Sequence, residues 1–278
     1  MNPPDASRLS AADLPADPRE LLALAEPRAE RVAQRLVEGL GRVGPVISAK
    51  STPTDLVTEM DTWAEAHITE TLLAARPHDG VQGEEGADHL GTSGITWSVD
   101  PIDGTINYIH GLPGFCVSIA AQVGGRSVAA VVVSPLHRDT FAATLGGGAT
   151  RNGSAISVSS AASAARSVVG TGFGYDPARR RRQAAALTRV IGDIADIRRG
   201  GAAAVDLCSV ACGRLDGYWE VGLNPWDHAA GALIASEAGA RVAGLDGEAP
   251  SERFVLAAPR ATWDELADLL RAAGATEV

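Results

Sequence analysis

The spacing of apolar residues divides the first half of the chain into two helices and a run of short strands. Apolar residues recur at helical spacing from about Pro18 to Leu40, in "LLALAEPRAERVAQRLVEGL", and "DTWAEAHITETLLAARP" predicts a second amphipathic helix that stops at Pro77. The next segments are short, β-rich and separated by Gly and Pro, which predicts neighbouring strands of one sheet. They are "GVQGEE", "ITWSVDP", "FCVSIAAQV", "SVAAVVVSP" and "DTFAATLGGG".

After "RNGSAISVSS" the pattern changes to alternating strands and helices, which is typical of an α/β unit. Strands are predicted in "SVVGTGF", "DIRR", "DGYWEVG" and "FVLAAP", and helices in "RRRRQAAALTRVIG", "AAAVDLCSVACG", "WDHAAGALIASEAG" and "TWDELADLLRAA". No internal repeat or long linker separates the halves, so we expect an α/β protein with two layered sheets and a ligand-binding cleft between them. The expected divisions are a loose tail at 1–17, an N-terminal half at 18–155 and a C-terminal half at 156–278.

The composition is that of a soluble globular protein. Hydrophobic residues make up 45% of the 278 residues and charged residues 21%, and no apolar run reaches the roughly 18 to 20 residues of a membrane span. The first residues lack a basic segment followed by an apolar one, so we expect no signal peptide and a cytoplasmic location. Cys116, Cys208 and Cys212 show no CxxC spacing, which favours buried reduced thiols over disulfides or a zinc site.

The formal charge of −10 argues against general nucleic-acid binding, because that affinity comes from accumulated Lys and Arg. One local exception is the run Arg179–Arg182, directly after "GYDP". It could contact a phosphate-bearing partner, but such a run is more often a solvated helix start.

The stretch "WSVDPIDGTINY" places two carboxylates three positions apart. A strand in "ITWSVD" puts Asp100 at a carboxyl end, where ligands bind in α/β proteins, and Pro101 is then expected to force a turn. Asp103 and the Ile102 carbonyl can face the same small volume, and two carboxylates there repel each other unless a cation lies between them. Oxygen ligands favour Mg²⁺. The alternative is an ordinary "DG" turn with Asp100 as a helix cap.

Further acids follow other predicted elements. Glu84 and Glu85 in "VQGEEGAD" come after a short strand, and Asp227 in "GLNPWDHAAG" starts a helix behind Pro225. Each alone is more often a solvated loop acid or an N-cap. They become a site only if the fold brings them together.

The segment "AKSTPTDLVTEMD" allows two interpretations. It reads as a turn and a capping box that starts a helix at Asp61. Alternatively, Lys50 offsets local negative charge while Asp61 orients the hydroxyl group of Thr105. The residues alone leave both open.

Four segments, in this order and with these gaps, resemble the inositol monophosphatase family of Mg²⁺-dependent, lithium-sensitive phosphatases. They are "KSTPTDLVTEMD" (50–61), "GEE" (83–85), "DPIDGTIN" (100–107) and "WDHAAGALIASEAG" (226–239). The resemblance runs from about residue 20 to 270, and "GTGFGY", "DIRR" and "CGRLDGYWE" look most similar to bacterial inositol-1-monophosphatases. It implies a five-layered αβαβα fold, a phosphatase activity that uses two to three Mg²⁺ ions, and a homodimer.

The resemblance also implies a role for each matching acid. Glu84, Asp100 and the Ile102 carbonyl would bind a first Mg²⁺, and Asp100, Asp103 and Asp227 a second. A third, weaker ion would lie near Glu84. The catalytic residues implied in this way are Thr105, Asp61 and Glu84.

In this scheme Thr105, paired with Asp61, helps to position and deprotonate the attacking water. Gly104 and Thr105 open a helix whose N–H groups and positive dipole end can hold phosphate oxygens.

The implied substrate pocket comes from "RRGGAAAVDLC" and "DGYWEVG". Its candidate residues are Asp103, Gly104, Thr105, Gly201, Ala203, Glu220 and Asp227, with Glu220 placed against ring hydroxyls. One departure concerns the residue after the loop glycine, where the family often has Ser or Thr and this chain has Ala202. That change bears on the choice of substrate, not on the reaction.

Several alternatives to myo-inositol 1-phosphate remain open. The same scaffold serves histidinol phosphate, whose ammonium could pair with Glu220. Adenosine or bisphosphate substrates should require extra basic or stacking residues, and "DGYWEVG" offers only Tyr218 and Trp219, which are expected to pack as strand residues. Some bacterial relatives act as binding partners of the transcription machinery, but all the proposed metal ligands are intact here, which favours an enzyme.

Overall fold

Helices and strands form five layers in the computed structural model, which describes residues 14–40, 48–49 and 56–276. Most of the expected N-terminal tail, and Lys50 of the "AKSTPTD" segment, lie outside these residues. The helices begin and end close to the positions that the apolar spacing predicts. They are α1 Pro18–Gly39, α2 Glu59–Ala75, α3 Thr105–Ile109, α4 Pro177–Val190, α5 Ala203–Ala211, α6 Pro225–Glu237 and α7 Arg260–Ala272.

The N-terminal half contains one sheet, as predicted, but with eight strands where the sequence pattern predicts five, and a separate two-stranded pair, β1 Ser48–Ala49 with β2 Leu56–Val57. The strands of the large sheet are β3 Gly80–Gly83, β4 Asp88–His89, β5 Ile95–Asp103, β6 Cys116–Val123, β7 Arg126–Ser134, β8 Asp139–Thr144, β9 Gly148–Arg151 and β10 Ser154–Ala155. Their order is β10-β9-β8-β7-β6-β5-β3-β4. Every pair is antiparallel except β3 and β5, which run parallel.

The C-terminal half contains a five-stranded sheet with the order β12-β11-β13-β15-β14. Its strands are β11 Val168–Thr171, β12 Asp196–Arg198, β13 Gly217–Glu220, β14 Ala240–Ala243 and β15 Val255–Pro259. The sequence pattern missed β14, because its four residues, "ARVA", show no clear alternation and only its two ends are buried.

Helices α5 and α6 lie between the two sheets, and this position explains their composition. Eight of the nine residues of α5 are buried, mostly small and apolar, because the helix is covered on nearly every side. Helices α1 and α2 cover the outer face of the first sheet, while α7 and α4 lie outside the second. The result is the αβαβα layering that the resemblance implied. The cysteines are thiols without disulfides, with Cys116 and Cys208 buried.

The boundary expected near residue 155 falls between the two sheets. Strand β10 ends at Ala155 and β11 begins at Val168. Because α5 and α6 pack against both sheets, the division into two halves stays a prediction. In the part of the chain that the structure describes, every helix is too short or too polar to cross a membrane.

The chain does not turn at Pro101, so that prediction is wrong. Strand β5 continues through the proline to Asp103, and its pairing with β6 slips between Asp100 and Asp103. Asp100 pairs with Ser118 and Asp103 with Cys116, so β5 advances three residues while β6 advances two. This extra residue on β5 is a β-bulge. Proline is tolerated at a bulge because it has no N–H to donate to the ladder. The bulge brings both aspartates to the end of one strand.

Candidate active site

The parallel pairing of β3 and β5 places Glu84 beside Asp100. Gly83 is paired with Val99, and the Glu84 N–H donates to the Val99 carbonyl at 3.2 Å. The next residue of each strand therefore emerges at the same edge of the sheet. The carboxyl group of Glu84 is close enough to that of Asp100 to raise its pKa. Two carboxyl groups this close require a proton or a cation between them, because both cannot be ionised there without strong repulsion.

Asp103 connects this edge to α5. Its Oδ1 accepts a hydrogen bond from the Ala203 N–H at 3.2 Å, and its Oδ2 accepts one from the Ala204 N–H at 2.7 Å. These are the first residues of α5, and Ala202 at the N-cap offers no side-chain cap. Asp103 thus supplies the capping that Ser or Thr at position 202 would give. The backbone N–H of Ala203, a predicted substrate residue, is already bonded.

Asp227 comes from the start of α6, as predicted. It is the third residue of the helix, and its carboxylate accepts a hydrogen bond from the Asn224 N–H at 2.6 Å. The carboxylate therefore closes a capping box and also faces the other acids.

The pKa values of Asp100, Asp103 and Asp227 are all raised at this edge. Burial raises the pKa of Asp100 well above its ordinary value, and the charges of Glu84, Asp103 and Asp227 raise it further. Burial raises the pKa of Asp103 to about 7, against the lowering effect of the hydrogen bond from Ala204. The pKa of Asp227 is also raised well above its usual range, by burial and then by Asp103 and Glu84.

These four acids and Ile102 line one cleft of about 630 Å³. Their donor atoms are all oxygens, which fits a hard cation such as Mg²⁺. Across 14–40, 48–49 and 56–276, no three His, Cys, Asp or Glu side chains converge into a finished metal site. Asp100 and Asp103 are buried, Glu84 and Asp227 are partly buried, and a cation among these four acids would relieve their mutual repulsion.

The contacts of Asp61 fit the capping box and also bring its carboxylate to Thr105, while the proposed role of Lys50 lies outside the described residues. Asp61 is fully buried, and its Oδ2 accepts hydrogen bonds from the N–H of Thr58, at 2.8 Å, and from the Thr58 hydroxyl group, which closes the capping box of α2. Its Oδ1 lies 3.2 Å from the hydroxyl oxygen of Thr105. The Ile102 carbonyl lies 3.0 Å from the same hydroxyl. Since the hydroxyl has one proton, it donates to one of the two acceptors at a time.

Sequence reasoning missed Glu65, which fixes the loop after Glu84. The side chain is buried, and its two oxygens accept hydrogen bonds from the N–H groups of Glu85, at 2.7 Å, and Ala87, at 2.8 Å. A signal existed, because Glu65 stands three residues before Ile68 in the buried stripe of α2. A glutamate in an apolar stripe is seldom buried without partners.

In the Mg²⁺-dependent phosphatase that the family resemblance implies, we expect Glu65→Gln to weaken Mg²⁺ binding. The amide of the glutamine has one acceptor oxygen and one donor NH₂ group, so it can accept from the N–H of Glu85 or of Ala87 but not from both. The loop that holds Glu84 therefore loses a hydrogen bond worth about 1 to 3 kcal/mol. The Mg²⁺ concentration for half-maximal phosphatase activity should rise about 10-fold, the lower end of the effect of outer-shell partners. Titration of activity with MgCl₂ measures it.

Glu70→Gln is the matched control, because Glu70 lies exposed on the same helix. An equal Mg²⁺ requirement in both variants would show that Glu65 supports the fold without positioning Glu84.

The predicted substrate residues Gly201, Ala203 and Glu220 line the same cleft. Glu220 accepts a hydrogen bond from the hydroxyl group of Tyr218. Burial raises the pKa of Glu220 to about 6, while the Tyr218 hydrogen bond and the Arg199 charge act in the opposite direction. Tyr218 is fully buried and packs as a strand residue, as predicted.

Gly104 lets the aspartate strand approach the substrate loop. Its φ is +87°, and a Cβ there would lie 2.9 Å from the Gly114 carbonyl oxygen and 3.2 Å from that of Gly201. Asn107 holds the same junction, since its Nδ2 donates to the carbonyls of Gly114, at 3.0 Å, and Gly200, at 2.9 Å. Because α3 has only five residues, its dipole is weak, and any hold on phosphate depends on the N–H groups of its first turn.

Asp206 is a second acid that the sequence reasoning missed. It lies buried in α5 beside the cleft. Burial raises its pKa well above the ordinary value, the charges of Glu220 and Asp103 raise it further, and Arg199 lowers it. The signal was an acid within "AAAVDLCSVA", a run too apolar for a solvated helix.

Comparison with known proteins matches residues 17–275 to the inositol monophosphatase family. The chain is 45% identical over 218 residues to the inositol-1-monophosphatase of Mycobacterium bovis, covering 74% of this chain and 75% of that protein. It is 36% identical over 266 residues to the Nus factor SuhB of Salmonella typhimurium, covering 90% and 98%. The crystal structure of the extragenic suppressor protein suhB from Bartonella henselae superposes with a TM-score of 0.84 at 34% identity, covering 91% of this chain and 98% of that one.

Proposed function

Because the chain belongs to the inositol monophosphatase family, we propose that it is a phosphomonoesterase that hydrolyses myo-inositol 1-phosphate, or a related inositol or sugar monophosphate. The observation that carries the proposal is the group of mutually repelling acids at the end of β5, in the same cleft as Glu220. Water attacks phosphorus, the phosphorus–oxygen bond to the sugar breaks, and the sugar oxygen takes up a proton.

Two sets of oxygens would hold Mg²⁺. The first consists of Glu84, Asp100 and the Ile102 carbonyl, and the second of Asp100, Asp103 and Asp227, so that Asp100 belongs to both. When bound, the ions supply positive charge that neutralises the phosphate and lowers the pKa of the attacking water. The proposal also includes inhibition by Li⁺ at the second set of ligands, a third Mg²⁺ near Glu84 and a homodimer. These three features rest on the family resemblance.

The remaining residues orient the reactants. The Thr105 hydroxyl group, held by buried Asp61, positions the water and passes its proton toward the Asp61 carboxylate. Gly104 leaves room for phosphate near the N–H groups of α3. Glu220 accepts hydrogen bonds from ring hydroxyls, while Gly201 and Ala203 shape the pocket around the ring.

Phosphate release with and without MgCl₂ tests this function, on myo-inositol 1-phosphate and histidinol phosphate. We expect Mg²⁺-dependent release, faster from inositol phosphate. No release from any phosphomonoester at saturating Mg²⁺ would overturn the proposal.

Glu220→Gln separates the two candidate substrates. If Glu220 accepts hydrogen bonds from neutral hydroxyls, the amide keeps an acceptor, and kcat/KM for inositol phosphate should fall by only about 1 to 2 kcal/mol. If the carboxylate faces the ammonium of histidinol phosphate, the loss should be about 2 to 5 kcal/mol. We expect the modest loss, with inositol phosphate the better wild-type substrate.

Glu252→Gln is the control, because Glu252 lies in the same cleft but is exposed. Faster wild-type hydrolysis of histidinol phosphate, with a steep loss in Glu220→Gln alone, would reassign the substrate and leave the phosphatase reaction standing.

A binding role is the second candidate, since the relative from Salmonella typhimurium carries the name Nus factor. It predicts that this chain captures components of the transcription machinery equally well with and without Mg²⁺ and in the Asp100→Asn variant. Pull-downs under both conditions, beside the phosphate assay, distinguish a binding module from an enzyme.

A further inference from the structure

The four arginines of the run Arg179–Arg182 have different surroundings. They lie in the first two turns of α4, after the N-cap Asp176, which confirms a helix start. Arg181 and Arg182 are exposed, as in a solvated helix start. Arg180 braces the preceding loop, because its Nε donates to the Gly174 carbonyl at 3.1 Å. Arg179 instead lines the cleft that contains the acids and Glu220.

The side chain of Arg179 lies across two glycines. A Cβ on Gly174 would come within 3.1 Å of its Cδ, and a Cβ on Gly222 within 2.5 Å of a terminal guanidinium nitrogen. Gly222 also has a φ of +90°, so any other residue there would be strained and would displace the guanidinium group. The backbone therefore keeps a place for this cation at the cleft wall.

The N–H donors of the Arg179 guanidinium group are available for a ligand. The Arg179 backbone N–H donates to Asp176, but among residues 14–40, 48–49 and 56–276 its guanidinium group makes no hydrogen bond and no ion pair within 4.0 Å. Arg199, the other arginine of the cleft, lies near the acids of the pocket, since its charge lowers the pKa of Glu220 and Asp206, whereas the charge of Arg179 acts on Asp176 at the start of its own helix. Arg179 is thus a cation in an acidic cleft whose donors face a space for ligand.

The same wall supplies ring surfaces. Phe173 and Tyr175, from the loop between β11 and α4, line the cleft beside Arg179, and Tyr175 is 37% exposed. In the sequence, Tyr218 and Trp219 were the only candidates to stack on a larger substrate, and both are buried. A cleft of about 630 Å³ lies within the range of roughly 300 to 1,000 Å³ found for drug-sized ligands. The basic and aromatic residues that a doubly charged substrate needs therefore come from another part of the chain.

We propose that Arg179 is a specificity residue that binds a second anionic group, phosphate or carboxylate, on the phosphomonoester substrate. The inference rests on the phosphatase function proposed above and extends its substrate class beyond myo-inositol 1-phosphate, which has no second anionic group. A guanidinium group suits this task, because its planar fork donates two parallel hydrogen bonds to either oxyanion.

Three glucose derivatives test the proposal, because they share the phosphate at C1 and differ only at C6. Glucose 1-phosphate has a hydroxyl group there, glucose 1,6-bisphosphate a phosphate, and glucuronic acid 1-phosphate a carboxylate. The measurement is kcat/KM for release of the C1 phosphate, followed by ³¹P NMR, in the wild type and in Arg179→Gln. We expect the wild type to favour one or both doubly charged compounds, and Arg179→Gln to reduce that preference about 10- to 100-fold, the effect of a lost hydrogen bond to a charged group.

Arg181→Gln is the matched control, with the same charge lost from an exposed position of the same helix. A preference that falls equally in both variants reflects general electrostatics and overturns the proposal, as does an unchanged preference in Arg179→Gln. The bisphosphate and glucuronate arms show which anion is recognised.

Calorimetric binding of the same compounds, with Ca²⁺ in place of Mg²⁺, separates this inference from the proposed function. If no variant releases phosphate, the phosphatase function fails, and the affinities still decide the role of Arg179. Weaker binding of the doubly charged compounds to Arg179→Gln alone supports it, and equal affinities in all variants overturn it.

Discussion

Replacing Asp100 by Asn should abolish Mg²⁺-dependent phosphatase activity while making the metal-free protein more resistant to heat. The carboxylate belongs to both proposed Mg²⁺ sets, so its loss removes charge from each, and kcat should fall more than about 100-fold, as when an electrostatic stabiliser of a transition state is removed. The amide keeps an oxygen that can accept the 3.1 Å hydrogen bond from the Ile102 N–H, so the bulge should persist. Phosphate release at saturating Mg²⁺ measures the effect.

The gain in heat resistance follows from the same charges. Burial and then Glu84, Asp103 and Asp227 raise the pKa of Asp100, so an ionised Asp100 destabilises the folded state without a cation. In EDTA at pH 8, Asp100→Asn should therefore melt at a higher temperature than the wild type. Asp88→Asn, in exposed strand β4, is the control and should change neither property. Near-normal activity in a folded Asp100→Asn protein would show that the acids do not form a metal site.

The metal-free protein should lose stability as pH rises from about 4 to about 7. Burial raises the pKa of Asp103 to about 7 and that of Glu220 to about 6, and it also raises those of Asp100 and Asp227. Between the ordinary pKa, near 4, and the raised value, the folded state binds more protons than the unfolded chain, so stability is full below this window and decreases through it. Tm measured against pH in EDTA should show the decrease.

Mg²⁺ should reverse that decrease, because it binds the ionised acids of the folded state. At 100 times its Kd, a ligand adds about 2.7 kcal/mol. For a chain of this size, 1 kcal/mol corresponds to roughly 2 to 4 °C, so MgCl₂ should raise Tm at pH 8 by about 5 to 10 °C, and by less at pH 5. KCl at matched ionic strength is the control. Parallel Tm profiles in EDTA and MgCl₂ would contradict a cation site among these acids.

The elements of the fold were largely predictable, because their signals are local. A buried face repeats every 3.6 residues in a helix such as α1. Proline and glycine mark the ends of elements, and Pro225 accordingly starts α6. Strand β14 was not predicted, because its four residues are too few to show the alternation of apolar and polar residues. The turn predicted at Pro101 was wrong because the local preference of proline for a turn was overridden by the pairing of β5 with β6.

The acids of the candidate site could be named from their motifs, but not the residues that hold them. Asp103 caps α5 across 101 residues of sequence, and Glu65 reaches the loop after Glu84 from 20 residues away. No pattern of spacing reports such contacts, because they depend on how separate elements pack. The same holds for Arg179, which a run of four arginines could not distinguish from its neighbours.

By itself, the sequence determined the order of the main helices and strands, the α/β class and the motif acids, because hydrophobic periodicity and motif spacing are properties of neighbouring residues. Only the tertiary structure decided which acids share a cleft, which side chains fix them and which arginine faces the ligand. Parallel pairing of β3 with β5, the bulge at Pro101 and the burial of α5 between two sheets bring these groups together. Burial then sets their pKa values, because desolvation and mutual repulsion act only once distant residues are packed side by side.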